Sequence, residues 1–174
     1  MTLNEAIHQR RSVREFTSQA VEQEKIDMLL QAAMQAPSAG NQQPWEFLLI
    51  KDKTKLCEVA EGHPHAKFLT QTPLGIVVLC NEQGLKYPEF WQQDLAAATQ
   101  NILLQAVELG LGGVWIGFAP REEYVELSKK VFDLPPHVKV FSMIAIGYPL
   151  NPPKQSHRFE PQRVHCEKYC EVKA

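Results

Sequence analysis

The sequence predicts one domain in which a β-sheet carries helices on its faces, an α+β or α/β sandwich. Three observations predict it. Helix-period and strand-like segments alternate along most of the 174 residues. One strand-like run, 74–81, is almost continuously apolar, as a strand covered on both faces must be. Hydrophobic residues make up 44% of the chain, enough to build a core and too many for a disordered polymer. The length suits a single domain spanning 1–174.

Residues 3–9 read as a short helix with Leu3, Ala6 and Ile7 on one face. Arg10-Arg11-Ser12-Val13-Arg14 follows, and 16–19 read as a turn. Residues 22–34 place Ile26, Leu29, Leu30, Ala33 and Met34 at helical spacing. Pro37 stops that helix, because proline disfavours helical backbone in the residue before it. Strand 45–50, a weak helix at 54–60, a loop at 62–65 and a turn of helix at 66–69 lead to the apolar strand 74–81. The longest helix is 90–109. Leu95, Thr99, Ile102, Leu103, Ala106 and Leu109 recur along one face, and Ala96-Ala97-Ala98 keep it slender for close packing. Gly110, Gly112 and Gly113 read as turn residues ahead of a strand at 114–118. Pro120 introduces helix 121–132, and 139–146 form the last strand, closing on Gly147-Tyr148-Pro149. From 149 to 174, Pro149, Pro152, Pro153 and Pro161 are interleaved with polar and basic residues. Such a stretch builds no core of its own. It is either a disordered tail or an arm that packs on something else.

Eighteen basic against twenty acidic residues give a net charge of −2, which argues against a broad nucleic-acid or anionic-membrane surface. No apolar run approaches bilayer length. The opening Met1-Thr2-Leu3-Asn4-Glu5 lacks the basic and apolar regions of a secretory signal, so cytoplasmic residence is expected. Cys57, Cys80, Cys166 and Cys170 form no C-x-x-C pair and read as free thiols. Trp45, Trp91 and Trp115 read as core or interface packing.

The hydrolase and nucleotide signatures are missing. There is no G-x-S-x-G elbow, and Ser38 in Pro-Ser-Ala-Gly is not one. There is no H-E-x-x-H, and His63 and His65 around Pro64 are too few for a metal site. No phosphate-binding glycine loop follows a strand. A chain without a nucleophile or metal set leaves the hard chemistry to a cofactor. Arg10, Arg11 and Arg14 beside Ser12 suit a phosphate, because each guanidinium fork donates paired hydrogen bonds to an oxyanion. The amides of Asn41, Gln42 and Gln43 can read the edge of a polar ring, and the apolar residues at 115–118 can cover a ring face.

These segments resemble the nitroreductase-like family of FMN-dependent NAD(P)H oxidoreductases. The likeness rests on Arg10-Arg11-Ser12-Val13-Arg14, then Ala36-Pro37-Ser38-Ala39-Gly40-Asn41-Gln42-Gln43-Pro44-Trp45, then Asp94-Leu95-Ala96-Ala97-Ala98-Thr99-Gln100-Asn101. Leu109-Gly110-Leu111-Gly112-Gly113-Val114-Trp115-Ile116-Gly117 and Ile144-Ala145-Ile146-Gly147-Tyr148-Pro149 complete it. The ordered set covers nearly the whole chain.

The resemblance implies a three-layer α+β sandwich, a mixed or antiparallel central sheet flanked by helices, and an intertwined homodimer with FMN at the subunit interface. The arm from about 149 to 174 would wrap the partner. Arg10, Arg11, Ser12 and Arg14 match the FMN-binding segment, with Arg14 placed to stabilise the reduced ring. Arg158 matches a late basic residue that reaches the phosphate, with Arg163 as the other candidate. Pro37, Ser38, Ala39, Gly40 and Asn41 match the segment contributed by the other subunit. Trp115, Ile116 and Gly117 match the stretch along the isoalloxazine, while Gly112 and Gly113 read as turn residues. The implied reaction is ping-pong hydride transfer from NADH or NADPH through FMN to a nitroaromatic, quinone or similar small-molecule acceptor, with no catalytic side chain. A flavin-binding protein without nicotinamide turnover is the alternative, as is a specialised relative such as a reductive dehalogenase or flavin-fragmenting enzyme. Two departures bear on these. The chain is short, which reduces the insertions that form a substrate lid. Gly117 carries no hydroxyl, which favours two-electron over one-electron chemistry.

Overall fold

The computed structural model describes residues 1–153 and 158–169. Among these, five α-helices and four strands follow in the order α1 (Leu3–Gln9), α2 (Gln23–Met34), β1 (Trp45–Ile50), α3 (Lys53–Gly62), β2 (Leu74–Asn81), α4 (Trp91–Glu108), β3 (Gly112–Gly117), α5 (Glu122–Phe132) and β4 (Val138–Gly147). The strands form one sheet in the order β1-β2-β4-β3. Every neighbouring pair is antiparallel. That pairing decides for α+β, since an α/β fold would need parallel strands joined by crossover helices.

Three layers result. Val77 and Leu79 of β2 pack with Leu56, Val59 and Phe132 from α3 and α5. Ile76, Val78 and Cys80 point the other way, onto Ile26, Leu29, Leu95 and Ile102 of α2 and α4. Both faces of β2 are therefore covered, which is the physical reason its sequence hardly alternates. None of the described helices is long and apolar enough to cross a membrane.

The segment before α2 crosses the end of the sheet. A capping box opens α1: the Thr2 hydroxyl accepts the Glu5 N–H at 3.2 Å, and the Glu5 carboxylate accepts the Thr2 N–H at 2.7 Å. Beyond α1 the chain straightens. The Val13 N–H donates to the Gly113 carbonyl at 3.0 Å, and Ser12 makes a parallel bridge to Gly113 on the outer edge of β3. Four residues after Val13, Thr17 donates to the Tyr148 carbonyl at 2.9 Å, and Leu150 donates to that of Glu15 at 3.0 Å. Val13 and Phe16 are buried, while Ser12 before them and Arg14 and Glu15 between them are exposed.

Several expectations need correction. Gly112 and Gly113 lie inside β3 and are not turn residues. Gly112 is small for another reason: a Cβ there would sit 2.7 Å from a Val13 methyl and 2.9 Å from the Pro149 ring, where both chain ends dock. The longest helix begins at Trp91, after a 3-10 turn at Pro88–Phe90. The weak helix is longer than expected, because Asp52 caps it by accepting the Thr54 N–H at 2.8 Å. Residues 39–41, read only as loop, form a 3-10 turn, Ala39–Asn41. Trp45 packs in the core as expected, whereas Trp115 is 36% exposed. Cys170 lies outside the described residues.

Candidate functional site

Arg10 is half-buried at the end of α1. Burial, together with the nearby charges of Arg11 and Arg158, holds its guanidinium below the ordinary arginine value. The tail thus returns Arg158 to the arginine cluster, 148 positions from Arg10 in the chain (158 − 10). Among the described residues neither Arg10 nor Arg158 enters an ion pair. Arg163 instead bonds Glu160 at 2.6 Å. Like charges gathered in one place raise the local potential and favour an anion of two or more charges.

The outer edge of β3 continues from this cluster. Phe118 donates across the sheet to the Phe141 carbonyl at 3.1 Å, so even-numbered residues of β3 turn their amides toward β4. Odd-numbered Gly113, Trp115 and Gly117 turn theirs to the free edge. The Val13 bond to the Gly113 carbonyl agrees with this. From Gly113 to Gly117 the edge runs about 13 Å at four residues of strand rise. It leads into a pocket of about 400 Å³ lined by Arg14, His63, Trp115, Gly117, Phe118 and Tyr124 among others. A Cβ placed on Gly117 would find no atom within 4 Å. The space over this residue is open, so a planar group can approach the backbone there.

The predicted residues separate into two groups. Arg10, Arg11 and Arg158 share one electrostatic cluster, and Ser12, Arg14, Trp115 and Gly117 line the edge and pocket beyond it. Ile116 turns its side chain into the core at 3% exposure and offers only backbone. Trp115 packs edge-on against Phe141, which meets Trp91. Pro37, Ser38, Ala39, Gly40 and Asn41 are elsewhere. They follow α2 and are fixed to α4: the buried Asp94 carboxylate accepts the Ala39 N–H at 2.9 Å and the Gln42 side-chain amide at 2.7 Å. Gly40 has φ +53°, and a Cβ there would strike the Tyr87 ring. Residues 37–41 do not line the pocket of the same chain.

Two site residues were missed by sequence reading. His63 was weighed only as a metal ligand, and its sole signal was its place in a loop between a helix and a strand. Asp94 stood in the sequence reading only as the first residue of the Asp94–Asn101 segment, with no role of its own. A larger hollow of about 570 Å³ includes Phe16, Val21, Lys51, Lys53 and Leu74 in its lining. Its lysines are already committed, Lys51 to Gln23 and Lys53 to the Thr72 carbonyl.

The sequence profile described as the nitroreductase family matches residues 7–65 and 60–148, which together take in most of the chain. The chain belongs to the nitroreductase family. A Methanothermobacter thermautotrophicus protein, named by inference an NADH dehydrogenase/NAD(P)H nitroreductase, is 42% identical over 169 residues, covering 97% of this chain and 88% of its own. A Clostridium acetobutylicum crystal structure, named by inference an NADH oxidase, superposes with a TM-score of 0.92 at 47% identity, covering 94% of this chain and 99% of its own. A Desulfovibrio desulfuricans crystal structure, a nitroreductase by inferred name and in complex with FMN, gives 0.84 at 28% identity, covering 98% and 99%. The open β3 edge and the arginine cluster are thus features of a nitroreductase-family chain.

Proposed function

We propose that this nitroreductase-family protein is an FMN-dependent NAD(P)H oxidoreductase acting on a nitroaromatic, quinone or similar acceptor. The observation that carries the reading is the Arg10–Arg158 charge, in no ion pair among the described residues, at one end of a strand edge whose other end, Gly117, is open. A phosphate and a flat ring separated by a short chain fit that arrangement.

The residues present suit FMN. Arg10, Arg11 and Arg158 hold the phosphate as a dianion, with Ser12 adding a hydroxyl. Arg14 stands at the ring end of the same segment and stabilises negative charge on the ring edge. The Gly117 N–H, turned to the free edge, is the donor offered to the ring, and Trp115 and Ile116 contribute backbone along it. Phe118 and Tyr124 line the pocket at that end. When bound, FMN supplies the redox chemistry, taking hydride from NADH or NADPH and passing it to the acceptor. No side-chain acid or base is assigned.

The working unit is a homodimer in this reading. Residues 37–41 are held rigidly away from their own pocket, so they serve the flavin of the partner subunit. Phe159, Val164 and Tyr169 in the arm are 81%, 68% and 79% exposed on the single chain, as expected of side chains that pack on a partner. The cytoplasm, with its nicotinamide pools, is the compartment that fits.

An anaerobic absorbance spectrum tests this. A flavin band near about 450 nm that bleaches on adding NADH or NADPH is expected. A flavin band unchanged by either donor overturns the oxidoreductase reading. Absence of flavin even after incubation with FMN overturns the cofactor.

A further inference from the structure

We propose that His63 is a positioning residue: its ring stands in for the missing strand neighbour of β3 and fixes the Gly117 peptide that faces the ring site. The proposal rests on the FMN reading above for its functional half and on geometry alone for its structural half.

The geometry begins at the sheet edge. Gly117 pairs with Ser142 across β4, but as a non-hydrogen-bonded pair, so its C=O as well as its N–H turns to the free side. Farther back on the same edge, Val13 satisfies Gly113. At Gly117 no strand is available. The Nε2 atom of His63 lies 3.1 Å from the Gly117 carbonyl oxygen instead.

The other ring nitrogen settles which way the bond runs. Nδ1 accepts the His65 N–H at 3.3 Å, so Nδ1 carries a lone pair and Nε2 carries the proton. The Gly117 carbonyl accepts it. The ring has no freedom to leave. It is 3% exposed, its centroid lies 4.0 Å from that of Tyr124 with 32° between planes, and Phe118 closes in at 5.7 Å.

Gly117 needs such a hold. It is a glycine at the end of an edge strand, with open space where a side chain would pack. Backbone freedom there is large, and only hydrogen bonds restrict it. The carbonyl belongs to the 117–118 peptide and the N–H to the 116–117 peptide. The two planes meet at the Gly117 Cα, so holding the carbonyl restricts ψ there and removes one of the two soft dihedrals of the residue that carries the donor. His63 therefore steadies the residue whose N–H is offered to the ring, acting through the Gly117 carbonyl.

The test compares His63→Ala and His63→Asn with wild type, using the protein as purified. Four readouts are taken: FMN dissociation constant, midpoint potential of bound flavin, kcat and KM for the nicotinamide donor, and amide hydrogen exchange of residues 117–119. For His63→Ala, the expected results are FMN affinity within about threefold of wild type, since the phosphate cluster is untouched, and kcat lower by at least about tenfold from misaimed geometry. A shifted potential and faster exchange at 117–119 are expected with it. His63→Asn, whose amide can donate to the same carbonyl, is expected to restore most of each. Exchange and potential unchanged in His63→Ala overturn the proposal. So does an equal loss in both variants accompanied by general unfolding, which marks His63 as packing only. Should wild type bind no FMN, the parent reading fails, while exchange at 117–119 still decides whether His63 holds Gly117.

Discussion

Asp94, in the first turn of α4, accepts the Ala39 N–H on one carboxylate oxygen at 2.9 Å and the Gln42 amide on the other at 2.7 Å. Gln42 is itself locked, since it also donates to the Tyr87 carbonyl and accepts the Tyr87 N–H, both at 3.0 Å. One buried carboxylate therefore holds the whole 38–42 loop on the helix. Asp94→Ala leaves the Ala39 N–H and one of the two Gln42 amide hydrogens without their acceptor and is expected to destabilise the fold by about 1–3 kcal/mol. Asp94→Asn keeps one acceptor but turns an amide toward the Gln42 amide, and an intermediate loss is expected. Chemical denaturation of the three proteins checks the order.

The arginines separate by role. Arg10→Ala and Arg158→Ala are each expected to weaken FMN binding by about 10–100-fold, the worth of a lost charge-assisted contact. Arg163→Ala, which breaks only the pairing with Glu160, is expected to bind normally. Titration with FMN followed by fluorescence quenching measures all three. Full FMN occupancy in the Arg10 and Arg158 variants would remove the phosphate assignment.

Two glycines of β3 give opposite expectations. Gly112→Ala forces a Cβ onto Val13 and Pro149 and should cost about 1–3 kcal/mol by overpacking. Gly117→Val meets open space and should leave unfolding within about 1 kcal/mol. It should nonetheless lower FMN affinity, because the side chain would occupy the place proposed for the ring. Thermal melts with and without FMN distinguish the two cases.

A pH dependence arises at Tyr148. Its hydroxyl donates to the Glu22 carboxylate at 2.7 Å and accepts from Lys25 Nζ at 2.7 Å. The Tyr148 bond is the largest cause holding Glu22 below its ordinary value, and likewise the largest raising Lys25. A depressed carboxylate stabilises the fold above its ordinary value, and the contribution is lost as pH falls through the depressed one. A raised lysine stabilises below its ordinary value, and the contribution is lost as pH rises through the raised one. The stability gap between wild type and Tyr148→Phe should therefore be widest near neutrality and close in both directions. Denaturation midpoints across pH measure it, and a gap independent of pH would show that only packing was lost.

The thiols should react in order of exposure. Burial pushes the Cys80 thiol up to about 11. Cys166 is exposed and Cys57 half-buried. A thiol reagent followed by peptide mass analysis should label Cys166 in the native protein and reach Cys80 only after unfolding.

The sequence by itself determined the element types and the layers. Helical spacing at Ile26, Leu29 and Ala33 and the unbroken apolar run of 74–81 follow from local burial demands, and local demands are written locally. It also put Arg10 and Arg11, the pair proposed to hold the phosphate, side by side. What only the tertiary structure decided depends on pairing across distance. Strand order and direction settled α+β against α/β, because an apolar strand looks alike beside a parallel or an antiparallel neighbour. Gly112 and Gly113 read as turns because a glycine carries no pattern, and their true cause is Val13, Pro149, Leu103 and Ile146 crowding from elsewhere in the chain. The choice of Arg158 as neighbour of Arg10 depends on where the tail returns. Asp94 and His63 were silent for the same reason: each acts on a backbone group dozens of residues away, and a hydrogen bond to a main-chain atom leaves no mark in the sequence of its partner.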